Sequence, residues 1–190
     1  MTKRDISKFL IIFFSIIMLL IMIGFIKKKE YSCIYNLIAI YLGYLLFTYF
    51  EYKKKFHVRN SIKGLVIITA ILHNLFGEYF KLYTTTKWFD KGLHLFGTFS
   101  VSLFCYSIIN SSIAFFPRSK VFIFILIVST GITIGTLFEH LEFITDSILK
   151  SKTQTNLVDT DLDLIFNTLG ATIAGVLGMF RIIFFDNQRN

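Results

Sequence analysis

The 190-residue sequence has only one proline and two cysteines. Cys33 and Cys105 are too few for a disulfide framework, and neither lies in a CxxC or Cys/His pattern typical of a metal site. The chain also lacks internal repeats, low-complexity tracts and any linker long enough to separate domains. These absences exclude a disulfide-stapled scaffold, a repeat protein and a multidomain chain, and predict one domain over residues 1–190.

Apolar residues are abundant instead, at 54% of the chain with a mean hydropathy of +0.64. A helix needs about 20 mostly apolar residues to cross a bilayer, and several runs reach that length. The sequence therefore predicts an all-α, polytopic transmembrane helix bundle in a single integral membrane domain. The six predicted spans are residues 9–26, 34–50, 62–82, 91–110, 120–141 and 161–183.

The first span follows a basic start and so resembles a secretory signal. Its apolar run is longer than the core of a signal peptide, which has about 7–15 residues. Lysines at positions 27–29 follow it, where a signal peptide would have small residues for cleavage. We therefore predict a retained anchor helix.

The net charge of +8 is distributed in loops and termini, which argues against a nucleic-acid-binding face. One membrane side holds 12 of the 20 basic residues, against 8 on the other. The richer side comprises the amino terminus, the loop after span two, Arg118, Lys120 and the tail; the loop residues are Lys53, Lys54, Lys55, Arg59 and Lys63. The positive-inside rule then predicts an inner or plasma membrane protein with both termini in the cytoplasm.

Acidic residues gather at the opposite, outer ends of spans three to six. Eight of the twelve lie there: Glu78, Asp90, Glu139, Glu142, Asp146, Asp159, Asp161 and Asp163. Three histidines, His73, His94 and His140, accompany them. Residues three or four apart share a helix face. This spacing predicts polar faces formed by Asn74 with Glu78, Asp90 with His94, Glu139 with Glu142 and Asp146, and Asp159 with Asp163 and Asn167.

Ionisable groups inside a membrane cost about 2.5–3.5 kcal/mol each to insert and normally face a bundle interior. Crowded carboxylates also repel each other unless a cation or a basic side chain lies among them. Lys91 is the best basic candidate. Further along span six, Gly170, Ala174 and Gly178 recur every four residues and predict that this helix packs closely and centrally.

Three motifs resemble those of YjdF-like bacterial inner-membrane proteins and, more loosely, VanZ-like proteins. They are DKGLHLF at 90–96, FEHLEF at 138–143, and DTDLD at 159–163 followed by Asn167 and Gly170-Ala171. The resemblance covers about half of the chain and implies a polytopic helical fold, but the YjdF-like group has no settled activity. Glu142 and the dense 159–163 run depart from the VanZ-like pattern, so we do not infer a role in antibiotic resistance from this resemblance.

The first functional hypothesis is a membrane-embedded metal site acting on a lipid-linked or other amphiphilic substrate. Carboxylates with an imidazole suit Mg²⁺, Mn²⁺ or Zn²⁺. The predicted ligands are Asp90, His94, Glu139 and Asp163, with Glu142 or Asp159 as general base. His73, Glu78 and Asn167 are further members of the polar group. Against this hypothesis, the chain has no HExxH, no Glu-x-x-His pair and no arginine cluster.

Two other interpretations remain open. The carboxylates could conduct protons or bind an ion in a transporter or binding protein, which an interrupted helix near Gly77 would favour. They could also form a structural network in a non-catalytic accessory protein. Individual residues have simpler explanations too: Asp159 and Asp161 as helix-start residues, His140 as peripheral, and Tyr79, Tyr83, Trp88 and Phe89 as an aromatic belt.

Overall fold

The computed structural model describes residues 3–53, 56–112, 119–149 and 156–180. Lys54, Lys55, Arg118, the basic tail and the end of the sixth predicted span lie outside these ranges. The helices are α1 Lys3–Lys28, α2 Tyr31–Tyr52, α3 Asn60–Ile71 with a π-helical extension Leu72–Tyr79, α4 Leu82–Thr85, α5 Phe89–Ser112, α6 Lys120–Leu149 and α7 Leu157–Met179. The described part of the chain contains no strand.

Within the described ranges, six helical stretches are long and apolar enough to cross a membrane, which confirms the predicted all-α class and number of spans. They are Arg4–Lys28, Tyr31–Tyr52, Asn60–Tyr79, Phe89–Ser112, Lys120–Ile148 and Leu157–Met179. Many of their large apolar side chains are exposed, as expected for helices whose solvent is lipid. In the part of the chain that the structure describes, two buried apolar regions lie between them. One joins α1, α2 and α3, and the other joins the start of α3 to α5, α6 and α7.

The fifth span is longer than predicted, since α6 continues beyond residue 141 to Leu149. No glycine or proline follows Leu141 to end the helix. Polar side chains in the extra turns bond within the helix: Thr145 donates to the Leu141 carbonyl at 2.7 Å and Ser147 to the Phe143 carbonyl at 2.8 Å. Glu139 and Glu142 therefore lie inside a continuous helix and not at its end.

The third span changes its hydrogen bonding in its last two turns. The Phe80 N–H donates to the Leu75 carbonyl at 2.9 Å, a bond across five residues instead of four. π-Helical turns of this kind are rare and often occur at functional sites. A side chain at Gly77 would overlap the ring of Tyr83, so the glycine makes room for the short helix α4 to fold back. Lys81, in the left-handed region with φ of 62°, makes that turn.

A buried ion pair fixes the other end of the first three helices. Lys63, counted above among the loop basic residues, lies in α3 and is buried. Its ammonium contacts Glu51 of α2 at 2.7 Å and donates to Ser7 of α1 at 3.0 Å. Glu51 also accepts the backbone N–H of Val58 at 3.0 Å. The paired charges tie α1, α2 and α3 together, since a lone buried charge is costly.

Small residues bring α5, α6 and α7 into close contact, as the spacing on span six predicts. Gly170 of α7 lies against the backbone carbonyl of Leu95 on α5. Gly131 of α6 lies against Ser102 of α5 and Ala171 of α7. Buried small residues of α7 continue this contact surface: Gly170, Ala171, Ala174, Gly175 and Gly178. Close backbone approach at such residues drives helix association in membranes.

We predict that Gly170→Ala lowers stability, because a methyl group there would overlap the Leu95 carbonyl. Overpacking of this kind costs about 1–3 kcal/mol. Gly43→Ala is the matched control, since nothing lies within 4 Å of an added carbon there and alanine favours a helix. Thermal unfolding in detergent should show a lower midpoint for Gly170→Ala only. Equal midpoints for both variants would contradict the predicted close approach.

Candidate functional site

The polar residues of α5, α6 and α7 meet at one end of the bundle, and we refer to this group as the polar cluster. It comprises Asp90, Lys91, His94, Glu139, Glu142, Asp159, Asp163 and Asn167. The start of α5, the start of α7 and the later part of α6 supply its members. Because adjacent antiparallel helices alternate in direction, these three segments reach the same level of the bundle.

Lys91 lies at the centre of three carboxylates. Its ammonium donates to Asp163 at 2.7 Å, to Asp90 at 3.1 Å and to Asp159. The residue is only 4% exposed. A lysine ammonium has three donors, and here each of the three carboxylates accepts one contact. Lys91 therefore joins the start of α5 to the start of α7.

His94 lies one turn further along α5 and contacts both neighbouring helices. Its Nε2 is 3.4 Å from an Asp90 oxygen and 3.5 Å from an Asp163 oxygen. Its Nδ1 is 3.3 Å from Asn167 Oδ1 and 3.5 Å from Glu139 Oε1. Each ring nitrogen thus faces oxygen atoms of different residues. The imidazole links α5, α6 and α7 at one point.

Asn167 is held from the α5 side by a residue that sequence reasoning missed. Thr98 donates its hydroxyl to Asn167 Oδ1 at 2.6 Å. The amide packs on Gly135 of α6, where an added carbon would lie 3.0 Å from Nδ2. Within the described ranges, Nδ2 has no hydrogen-bond partner. The oxygen side of this amide is therefore satisfied and the nitrogen side is not.

Two glutamates of α6 add negative charge beside His94. Glu139 is buried, and Glu142 is half-buried on the same helix face. The Glu142 carboxylate interacts electrostatically with Glu139, His94, Asp90 and Asp163. Asp146, one turn beyond Glu142, is also half-buried. The predicted acidic face of the fifth span therefore points into the bundle.

Negative charge exceeds positive charge in the polar cluster. Its carboxylates belong to five residues: Asp90, Glu139, Glu142, Asp159 and Asp163. Lys91 supplies one positive charge, and a protonated His94 would supply a second. Carboxylates this close in a low-dielectric interior repel, so the charge balance among the described residues favours bound protons or a bound cation.

Three members of the polar cluster are close enough together that they could hold a metal ion. Asp90, His94 and Asp163 each offer one ligand atom, and these atoms all lie within 4.8 Å of one another. Imidazole nitrogen with carboxylate oxygens is a donor set suited to Zn²⁺ or Mn²⁺. Glu139, the fourth predicted ligand, lies instead beside the other ring nitrogen of His94.

Asp159, predicted as a possible general base or helix-start residue, contacts Lys91 through its side chain. The cap of α7 is Asn156, whose side chain accepts the backbone N–H of Asp159 at 3.0 Å. Asp161 is exposed. His140 is exposed too, as its predicted peripheral position requires.

His73 and Glu78, predicted as further cluster members, belong to a neighbouring polar network around the π-helical segment. His73 contacts the Tyr83 hydroxyl at 2.6 Å and the Asn36 amide at 2.8 Å. Glu78 accepts a hydrogen bond from the Cys33 thiol at 3.4 Å. This network connects α2 and α4 to the π-helical segment beside the polar cluster.

Tyr83 was predicted to lie in an exposed aromatic belt but is half-buried. Trp88 is 68% exposed, as a belt residue would be. Burial raises the pKa of Tyr83, and the negative charges of Asp90 and Glu78 raise it further. Its hydroxyl therefore stays neutral at physiological pH.

Nearby, pairing with Glu30 at 3.0 Å raises the pKa of Lys81. The only sign in the sequence that Tyr83 would pack against the third span was Gly77, whose lack of a side chain admits the Tyr83 ring.

Within the described ranges, six apolar helices, three of which share a partly buried polar cluster, define a multi-pass helical membrane protein. The chain belongs to the DUF2238 family, described as "Predicted membrane protein", whose model matches residues 9–183. An uncharacterized protein of Thermotoga maritima is 33% identical over 140 residues, which cover 68% of this chain and 71% of that protein. No solved structure matches the chain.

We predict that Lys91→Met destabilises the protein by about 3–5 kcal/mol, because it leaves buried carboxylates without their ammonium. Adding Asp163→Asn should recover part of this loss by removing one of those charges. The measurement is the thermal unfolding midpoint in detergent with a metal chelator. Lys87→Met is the control, since Lys87 is exposed. A midpoint for Lys91→Met equal to that of Lys87→Met would contradict the role of Lys91.

Proposed function

We propose that the polar cluster binds a divalent cation, Mg²⁺, Mn²⁺ or Zn²⁺, and acts with it on a lipid-linked or other amphiphilic substrate. The observation that carries this proposal is the convergence of Asp90, His94 and Asp163 within a cluster of excess negative charge. A divalent cation would offset two of those charges. It would also explain why a bundle maintains so many carboxylates inside a membrane segment.

Each residue has a distinct role in this proposal. Asp90, His94 through Nε2, and Asp163 bind the cation directly. Glu139, predicted from the sequence as a fourth ligand, contacts the opposite ring nitrogen and so holds the imidazole in place. A divalent cation bound there would polarise a phosphoryl or carbonyl oxygen and make bound water more acidic.

Glu142 is the better of the two predicted general bases. The Asp159 carboxylate is already paired with Lys91. Glu142 accepts no hydrogen bond within the described ranges and lies among the other carboxylates of the polar cluster. It lies one turn beyond Glu139 on the same helix face, where a substrate entering from the membrane interface would arrive.

The proposed substrate class follows from the position of the polar cluster. The polar cluster lies near the starts of α5 and α7, and the outer surface of α7 carries exposed apolar residues such as Ile165 and Leu169. An amphiphile can place its polar head at this depth while its apolar part remains in the bilayer. The distribution of basic residues supports a cell-membrane protein with cytoplasmic termini, and hence a cluster at the outer surface.

The resemblance to YjdF-like proteins supports a common site in that group. Its three motifs contribute Asp90, Lys91 and His94, then Glu139 and Glu142, then Asp159, Asp163 and Asn167. Every member of the polar cluster therefore comes from one of the motifs on which the resemblance rests.

We expect the purified protein to bind about one divalent cation per chain, and His94→Ala to weaken binding more than about tenfold. His140→Ala is the matched control, because it removes an exposed histidine one residue from Glu139. Isothermal titration with Mn²⁺, together with metal analysis, measures both effects. Absence of stoichiometric metal, or equal binding by both variants, would overturn the proposal.

Ion or proton transport is a second candidate, favoured by the π-helical segment in the third span. Transporters often build their sites where membrane helices are interrupted, and intramembrane carboxylates commonly carry protons. The segment contains His73 and Glu78 and lies beside the polar cluster.

If the protein transports ions or protons through the polar cluster, Glu139→Gln should reduce flux in proteoliposomes, because a buried carboxylate that takes up and releases protons or ions is lost. Asp161→Asn is the control, since Asp161 is exposed at the start of α7. Flux that is absent in the wild type, or unchanged by Glu139→Gln, would exclude this second function.

A further inference from the structure

We infer that Thr98 and Asn167 position His94 for cation binding. Together they hold the imidazole with its hydrogen on Nδ1, so that Nε2 presents a lone pair between Asp90 and Asp163. The inference rests on the proposed function for its purpose, but the state of the ring is a separate and measurable property. Thr98 and Asn167 are positioning residues, since they act through His94.

The first step is the orientation of the Asn167 amide. The Thr98 hydroxyl lies 2.6 Å from Asn167 Oδ1, and a hydroxyl donates readily to a carbonyl oxygen. Thr98 is 7% exposed and Asn167 is 3% exposed, so this bond is shielded from bulk solvent. The amide oxygen is therefore directed towards α5, and the NH₂ group lies against Gly135 of α6.

The second step is the hydrogen on His94 Nδ1. Asn167 Oδ1 lies 3.3 Å from this nitrogen and Glu139 Oε1 lies 3.5 Å from it. Both neighbours are acceptors, so this environment stabilises an N–H at Nδ1. The reverse amide orientation would direct an NH₂ group at Nδ1 and move the hydrogen to Nε2.

The third step concerns the other ring nitrogen. With the hydrogen on Nδ1, the lone pair of a neutral ring at Nε2 faces carboxylate oxygens of Asp90 at 3.4 Å and Asp163 at 3.5 Å. A lone pair opposed to two carboxylates is unfavourable unless a cation lies among them. Histidines that bind metals characteristically donate their other N–H to a carboxylate or carbonyl oxygen. The oxygens of Asn167 and Glu139 are the acceptors for this N–H of His94.

The packing of Asn167 leaves little freedom for the amide to turn away. An added carbon at Gly135 would lie 2.9 Å from both Cβ and Cγ of Asn167, so the amide lies flat on the α6 backbone. Within the described ranges, Nδ2 lacks a hydrogen-bond partner. The polar contacts of the amide are therefore made through its oxygen, with the Thr98 hydroxyl and with His94 Nδ1, and together they favour this orientation.

The experiment compares Thr98→Val with Thr98→Ser in the full-length protein in detergent. Valine keeps the shape of threonine without the hydroxyl, and serine keeps the hydroxyl. We expect Thr98→Val to weaken Mn²⁺ binding by about 10–100-fold, as loss of outer partners of a metal-binding histidine typically does. Thr98→Ser should bind Mn²⁺ with close to wild-type affinity.

Nitrogen-15 spectra of histidine-labelled protein loaded with Zn²⁺ supply a second readout. We expect the hydrogen of His94 on Nδ1 and the metal on Nε2 in the wild type and in Thr98→Ser. Metal on Nδ1 in the wild type would overturn the inference, as would unchanged Mn²⁺ affinity in Thr98→Val. Should Thr98→Val fail to fold, Asn167→Leu replaces it. Its control is Asn167→Asp, which retains an acceptor oxygen for Thr98 and His94.

The same spectra separate this inference from the proposed function. If the wild type binds no Mn²⁺ or Zn²⁺, the proposed function fails, and the metal-free protein decides the inference alone. Without a cation, the Asp90 and Asp163 carboxylates favour a second hydrogen on Nε2, so the decisive signal is the Nδ1–H that faces Asn167. An Nδ1–H signal that shifts in Thr98→Val and stays unchanged in Thr98→Ser would support the inference. A ring without hydrogen on Nδ1, or an Nδ1–H signal unchanged in Thr98→Val, would refute it.

Discussion

The buried ammonium of Lys91 constrains the arrangement of the last three long helices. A charge placed inside a membrane bundle must be paired there, since neither lipid nor bulk water compensates it. Asp163 and Asp159 of α7, together with Asp90 of α5, supply that pairing. The beginnings of α5 and α7 therefore stay together, and His94, one turn along α5, is placed where Glu139 of α6 contacts it.

Small residues make this electrostatic arrangement possible. Asp163, Asn167, Gly170, Ala171 and Ala174 are all buried along α7. This one face begins as a set of polar side chains and continues as a close contact between helix backbones. If α5 and α7 were held apart by larger residues at Gly170, the Lys91 and Asn167 contacts would lengthen as well. Packing and charge pairing consequently depend on each other.

Hydropathy and helical spacing predicted the larger features because both depend on local sequence. The six spans follow from apolar runs, and the shared polar end follows from acids at steps of three or four. The extension of α6 was missed because the polar residues after Leu141 resemble a loop, although Thr145 and Ser147 bond to carbonyls within the helix.

Other features depend on tertiary contacts that spacing does not reveal. Threonines in apolar helices usually bond to the carbonyl four residues earlier, as Thr69 and Thr168 do. Thr98 instead bonds across to Asn167, and nothing in its local sequence distinguishes it. The π-helical segment likewise arises where Gly77 admits the Tyr83 ring, a contact made only after α4 folds back.

The central claim is that a divalent cation offsets the excess negative charge between α5, α6 and α7. Anomalous X-ray scattering from crystals grown with Mn²⁺ tests it most directly, because the method locates the ion itself. The account predicts one strong peak within coordination distance of Asp90, His94 Nε2 and Asp163, on the side of the ring away from Asn167. A well-ordered polar cluster with no manganese peak, or a peak on the Nδ1 side between Glu139 and Asn167, would contradict it.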